Sequence, residues 1–204
     1  MNNSIDTNAL YKLEYGLFVI TSNDGAKDNA MINNTVFQVA NNPNKIAVSI
    51  NKKTYSHDVI KNSGIMNVNC LTEEAPFSVF EKYGFKSGRD TNKFSQDGNK
   101  YAENNLIVLQ EYINSYISLK VVNYSDLGSH GLFICEITEA KVLNDEKSMS
   151  YSYYHENVKP KKADNSKKGF ICKICGYVYE GEELPQDFIC PLCKHGAEDF
   201  EPIE

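Results

Sequence analysis

The sequence has no tryptophan, no surplus of positive charge, and no apolar run near the ~20 residues that a membrane span needs. Its start, Met1-Asn2-Asn3-Ser4-Ile5-Asp6, shows neither the basic region nor the apolar stretch of a signal peptide. These absences predict a cytoplasmic protein without a membrane partner. A formal net charge of −6 argues against nucleic acid as a partner, because a phosphate backbone is met with lysine and arginine. No Gly-x-Gly-x-x-Gly follows a strand, and neither Gly-x-x-x-x-Gly-Lys-Ser/Thr nor His-Glu-x-x-His occurs, which argues against a Rossmann nucleotide domain. What is present is a 204-residue chain, 41% apolar, with 13 Tyr and 10 Phe for packing or stacking. That length supports one or two domains with a real core.

Charge and cysteine draw the same internal boundary. Residues 169–204 hold eight acids against Lys173 and Lys194, which leaves residues 1–168 formally neutral. Four of the six cysteines fall between 172 and 193, while Cys70 and Cys135 stand alone in apolar strands and read as small buried hydrophobes. Between the two parts, residues 158–168 (Val-Lys-Pro-Lys-Lys-Ala-Asp-Asn-Ser-Lys-Lys) carry five lysines and little that could be buried. They read as a flexible linker with an end-to-end distance of roughly 18 Å. The division is therefore 1–157, 158–168 and 169–204.

Cys172-Lys-Ile-Cys175-Gly176 and, fourteen residues further on, Cys190-Pro-Leu-Cys193 form two Cys-x-x-Cys knuckles. Such a pair sets four thiolates around one ion, and S4 coordination suits both zinc and a single iron. The surrounding Phe170-Ile171, Tyr177-Val178-Tyr179-Glu180-Gly181, Leu184-Pro185, Phe188-Ile189 and Phe200-Glu201-Pro202-Ile203 resemble the short-loop rubredoxin domain found at the end of rubrerythrins. The resemblance implies iron on Cys172, Cys175, Cys190 and Cys193, with aromatic rings excluding water from the sulfurs. Lys194 stands where that family often has glycine.

The N-terminal part is mainly β. Runs rich in β-formers recur at residues 15–22, 34–40, 45–51, 65–71, 106–109, 116–122 and 132–143, separated by turn signals such as Asn23-Asp24-Gly25 and Asn42-Pro43-Asn44. Strands at this spacing suggest a closed barrel. Two helices are predicted: Thr54–Asn62, with Thr54 as N-cap and Gly64 near its stop, and Ala75–Tyr83, ending before Gly84. Polar clusters sit at the strand ends, in residues 33–38, 49–57 and 85–94.

In this order and spacing the clusters resemble the flavin reductase-like, FMN-binding split β-barrel family over nearly all of residues 8–157. The resemblance implies that Thr35, Val36, Phe37, Gln38, Ser49, Ile50, Asn51 and Lys52 line the flavin ring and ribityl chain. It also implies that Thr54, Ser56, Ser87, Gly88, Arg89 and Lys93 surround the phosphate, and that the ring lies along the barrel, often at a homodimer interface. Arg89 leads this set, since its rigid fork matches phosphate oxygens; the alternative is a surface ion pair with Asp90 or another carboxylate. His130 resembles the family's Gly-x-His-x-x-Phe segment beside the reactive ring face, as a catalytic or a structural residue. His57 reads as solvent-facing or phosphate-adjacent, His155 as packing on the flavin dimer, and His195 as a surface residue.

Together the two parts resemble the flavin reductase–rubredoxin fusions called high-molecular-weight rubredoxins. That implies an oxidoreductase passing electrons from NAD(P)H through FMN to iron, and on to a flavodiiron or rubrerythrin-type reductase. Two alternatives stay open at this point: an electron-transfer module that does not itself oxidise NAD(P)H, and a zinc-ribbon binding protein.

Overall fold

The computed structural model describes residues 6–94, 98–160, 169–173, 176–190 and 195–203. After a 3-10 turn at Thr7–Lys12 come β1 (Phe18–Asn23), β2 (Asp28–Asn33), β3 (Val36–Asn41), β4 (Asn44–Asn51), α1 (Tyr55–Ser63), β5 (Ile65–Leu71) and α2 (Phe77–Tyr83). Then follow β6 (Lys100–Tyr101), β7 (Ile107–Val108), β8 (Ile113–Asp126) and β9 (His130–Val142). Seven strands form one antiparallel sheet in the order β2-β1-β5-β8-β9-β4-β3.

That order dictates the shape. β2 and β3 lie at opposite ends of the sheet, yet Asn33 and Val36 are three residues apart in the chain. A flat sheet of this width would measure about 29 Å at ~4.8 Å per strand interval, and three peptide steps reach at most about 11 Å. The sheet therefore curls into a barrel, and the β2–β3 corner crosses its split. Asn33 Nδ2 donates to the Ser49 carbonyl at 2.9 Å, and Ser49 N–H donates to the Thr35 carbonyl at 3.0 Å, tying that corner to β4. The barrel is thus split rather than fully closed by strand pairing.

Because side chains alternate along a strand, β1 serves two cores. Ile20 points into the barrel with Val48, Ile50, Met66, Leu119 and Phe133, joined by Ile60 of α1. Its neighbour Val19 points outward, into a layer built by Val79 and Phe80 of α2 together with Leu17, Ile107, Met149 and Tyr154. Cys135 is fully buried in the inner core, where desolvation pushes its thiol up to about 12, and Cys70 packs beside that core. Cys135 matches the reading of an isolated cysteine as buried apolar filler, whereas Cys70 is half-buried and interacts with Ser115. Two buried asparagines of β5 hold the segment around β7: Asn67 Nδ2 donates to the Leu106 carbonyl at 3.1 Å, and Leu109 N–H donates to Asn69 Oδ1 at 3.0 Å.

Several sequence expectations fall close to the observed elements. α1 is capped at Thr54, whose hydroxyl accepts from His57 N–H, and stops at Gly64 in the left-handed conformation with φ 71°. α2 starts at Phe77, two residues later than expected, because Pro76 holds an extended conformation at the cap. β2 was not expected at all. Val158, placed in the linker by composition, packs against the outer core, and residues 161–168 lie outside the described residues. The tail forms a small antiparallel sheet of β10 (Phe170–Cys172), β11 (Val178–Tyr179) and β12 (Phe200–Pro202), in the order β11-β10-β12. No helix among the described residues is long and apolar enough to cross a membrane.

Candidate functional site

Two segments distant in sequence meet where β4 runs into α1. Residues 51–56 form one wall and residues 83–93, after α2, form the other; with Met31 and Ile32 of β2 they enclose a cleft of about 470 Å³. Lys53, Lys86, Arg89 and Lys93 line it, and among the described residues no carboxylate does. α1 opens onto the same space, so its first-turn N–H groups and the positive end of its dipole add to the field. The arrangement is built to hold an anion.

Each part of the cleft is fixed by chemistry nearby. Arg89, the only arginine in the chain, sets its guanidinium 5.3 Å from the centre of the Tyr55 ring. Its ion pair is with Asp58 rather than Asp90, and at 3.9 Å it is a long one. Tyr55 is anchored in turn, since its hydroxyl makes a short hydrogen bond to Asp24. That bond, followed by the backbone N–H groups of Lys27 and Ala26, holds the Asp24 carboxyl down to about 2. Lys27 Nζ donates to the Arg89 carbonyl at 3.1 Å, joining the β1–β2 turn to the second wall.

Deeper in, Gly88 is buried against Asn29, and an added Cβ would collide with the Asn29 side-chain oxygen. Among the described residues that oxygen is buried without a hydrogen-bond partner, while the Asn29 amide donates to Ser56 Oγ at 2.8 Å and to Ser22 Oγ at 3.2 Å. Lys93 is only 5% exposed; its ammonium donates to the carbonyls of Ala30 at 2.7 Å and Tyr83 at 3.0 Å. Burial pushes it down to about 8. Lys93 therefore staples the loop to β2 and to the end of α2, besides lining the cleft.

The structure brings together Asn51, Thr54, Ser56, Ser87, Gly88, Arg89 and Lys93 from the sequence-derived set. The remaining residues lie elsewhere. Thr35 and Ser49 meet at the β2–β3 corner, two strand positions beyond Met31 and Asn51 when traced through the Asn33–Ser49 hydrogen bond. Val36 packs against the inner core, and Phe37 and Gln38 are exposed on β3, at the edge of the sheet. Ile50 turns its side chain fully into the core, so only its backbone faces any ligand. Lys52 points to Asp126, 2.6 Å away, which raises the lysine and lowers the carboxyl.

His130 pairs with Asn51 across β4 and β9, half-exposed, its Nδ1 2.9 Å from Ser129 Oγ. His57 is neither solvent-facing nor at the cleft. It is 3% exposed on the buried face of α1, with Nε2 3.1 Å from the Tyr124 hydroxyl and Nδ1 3.1 Å from Asp58. Its ring packs edge-on against Phe133 and Tyr124. His155 lies edge-on to Tyr151 at 4.5 Å. His195 is exposed, as expected, yet it lines the cationic cleft, which no sequence signal indicated.

In the tail, Cys172 and Cys190 are 1% and 0% exposed. Phe188 stands at the centre of their aromatic surroundings, 4.7 Å from Tyr179 and 5.3 Å from Phe200 between ring centres. Gly176 N–H donates to the Cys172 carbonyl and Cys190 N–H to the His195 carbonyl, both at 2.8 Å, so each knuckle is closed by backbone. Gly176, with φ 82°, supplies the left-handed turn that a side chain disfavours. Cys175 and Cys193 lie outside the described residues. Glu180, Glu182, Glu183, Asp187, Glu198 and Glu201 are exposed around this core, with Ile189 exposed among them.

Residues 10–162 match the family described as "Flavin reductase like domain", and residues 170–201 match "Rubrerythrin, rubredoxin-like domain". The high molecular weight rubredoxin of Moorella thermoacetica is 34% identical, with 98% of this chain and all of that protein covered. The ferric-chelate reductase (NAD(P)H) of Archaeoglobus fulgidus is 34% identical over 74% of this chain and 89% of its own length. Among solved structures, the FMN-binding protein of Thermus thermophilus superposes with a TM-score of 0.59 at 15% identity, covering 74% of this chain and 79% of that one.

Proposed function

Since the chain belongs to the flavin reductase-like domain family and carries a rubredoxin-like domain behind it, we propose that it is an NAD(P)H-dependent flavin oxidoreductase that binds FMN. In this reading it passes electrons to an iron held by Cys172, Cys175, Cys190 and Cys193, and from there to a protein acceptor of the flavodiiron or rubrerythrin type. The observation that carries the reading is the cleft with four cations and, among the described residues, no carboxylate, in the same chain as a buried thiol pair inside an aromatic shell. The named relatives support it, one through its combination of parts and one through its nicotinamide-linked reductase activity.

The residues present fit a flavin phosphate. Arg89 and the first turn of α1 offer charge-assisted hydrogen bonds to an oxyanion, and Lys53, Lys86 and Lys93 supply further charge. From that end, Asn51, Ser49 and Thr35 continue along the barrel's split and would hold the ribityl chain and ring, with His130 beside Asn51. When bound, FMN takes two electrons as hydride and releases them singly, and a thiolate-held iron takes one at a time. Phe188 and its neighbours pack around Cys172 and Cys190, and water kept from those sulfurs would limit reorganisation around the metal. The domain limits 1–157 and 169–204 and a homodimer complete the proposal.

The test is anaerobic mixing of purified, flavin- and iron-loaded protein with NADH and with NADPH. Flavin bleaching followed by loss of the ferric thiolate absorption is expected, and Cys172→Ser should abolish the second phase while sparing the first. Bleaching with neither nucleotide would exclude the reductase reading; one zinc and no iron in natively expressed protein would exclude the tail as a carrier.

A further inference from the structure

Residues 85–89 serve two sites at once. Phe85 packs against the aromatic cluster around Cys172 and Cys190, and its ring is 5.7 Å from Phe77 of α2. The next four residues, Lys86 to Arg89, line the cationic cleft. From the other side the tail supplies His195, whose carbonyl is held by Cys190 N–H at 2.8 Å while the residue lines the same cleft.

The charge pattern makes this placement informative. The tail carries eight acids and a single histidine, and attraction alone would turn an acid toward four cations. No described tail carboxylate lines the cleft; His195 does. A neutral imidazole keeps one N–H donor in either tautomer, so it can donate toward an oxyanion lying between it and the cations. We infer that His195 is an anion ligand lent by the tail to the phosphate end of the flavin site, so that tail docking through Phe85 and binding of the flavin phosphate strengthen each other. Linkage requires the effect to be reciprocal. The inference rests on the FMN reading of the cleft and adds a residue, and a coupling between the two domains, to it.

Flavin fluorescence titrations of the iron-loaded full chain, stripped of flavin, separate the possibilities when FMN is compared with riboflavin, which lacks the phosphate. His195→Ala should weaken FMN binding about three- to tenfold, the range of one hydrogen bond, leave riboflavin unchanged and keep the ferric absorption. His195→Gln, which retains an N–H donor, should recover most of the loss. Should His195→Ala disturb the neighbouring knuckle, Phe85→Ala approaches the same interface from the barrel side and should show the same FMN-selective loss. Unchanged FMN affinity in Phe85→Ala, or in an iron-replete His195→Ala, overturns the inference and leaves the FMN reading standing. A wild-type chain that binds FMN no tighter than riboflavin overturns both.

Discussion

The backbone of Gly88 runs so close to the side-chain oxygen of Asn29 that no Cβ fits between them. Asn29 cannot retreat cheaply, because its amide is committed to Ser56 and Ser22 in a buried pocket. The second wall of the cleft is thereby locked to β2 and to the first turn of α1 together.

Gly88→Ala should consequently push the 85–93 loop outward. FMN affinity is expected to fall by tenfold or more, while the thermal midpoint of the barrel shifts far less than it would for a core cavity. Overpacking typically costs about 1–3 kcal/mol, and here the loop can relieve most of it by moving. An FMN titration beside a circular-dichroism melt checks both halves; unchanged affinity would mean that the loop does not contact the ligand.

Arg89→Ala removes the only guanidinium, which rests on Tyr55 and pairs only loosely with Asp58. A hydrogen bond to a charged group is worth about 1.5–3 kcal/mol, so FMN affinity should fall roughly 10- to 150-fold, with riboflavin little affected. Stability should scarcely change, because the side chain is 61% exposed. Arg89→Lys should restore only part of the loss, as a point charge replaces a two-pronged donor.

The pH dependence of binding should carry the signature of Lys93. Its ammonium is pushed down to about 8 by burial, so it is charged at neutral pH and discharges as pH rises past that value, well below the range of an ordinary lysine. FMN affinity should therefore weaken from about pH 8 upward, where the phosphate itself is already fully ionised. Stability responds with the opposite sign. The unfolded chain keeps this proton up to about 10.4 while the folded chain loses it near 8, so between those values Lys93 makes the folded state more favourable as pH rises. Lys93→Met should remove both trends, and it should cost about 1–3 kcal/mol by stranding the carbonyls of Ala30 and Tyr83.

What the sequence made legible was whatever depends on local pattern. Thr54 and Gly64 bracket α1 because capping is a matter of a few adjacent residues, and the knuckles are read directly from cysteine spacing. β2 escaped notice because Asp-Asn-Ala-Met-Ile-Asn is poor in β-formers; it is a strand because the hairpin after Asn23-Asp24-Gly25 brings it back along β1. His57 looked exposed among polar neighbours and is buried, since the helical period, rather than neighbouring residues, decides which face turns inward. Lys93 was expected only beside the phosphate, and its bonds to the Ala30 and Tyr83 carbonyls, which join distant segments, had no local signal. The meeting of Phe85 and His195 with the two sites depends on contacts between segments about a hundred residues apart, which no local pattern encodes.

Transfer to the external acceptor should weaken with salt far more than flavin reduction does. Six described acids of the tail are exposed around its core, and screening shortens from about 10 Å at 0.1 M salt to about 3 Å at 1 M. Stopped-flow traces that follow flavin, iron and acceptor separately across a salt series check this; an acceptor step indifferent to salt would remove the acidic surface from docking.

Val19 and Ile20 are consecutive residues of one strand, and each is completely buried in a different core. Neither layer can open without breaking the ladder that the other depends on, so the barrel interior and its outer helical coat are coupled through a single piece of backbone. They should melt as one cooperative unit, with the amides of β1 among the slowest to exchange with solvent deuterium, and with no species that keeps the inner core after the outer coat is lost.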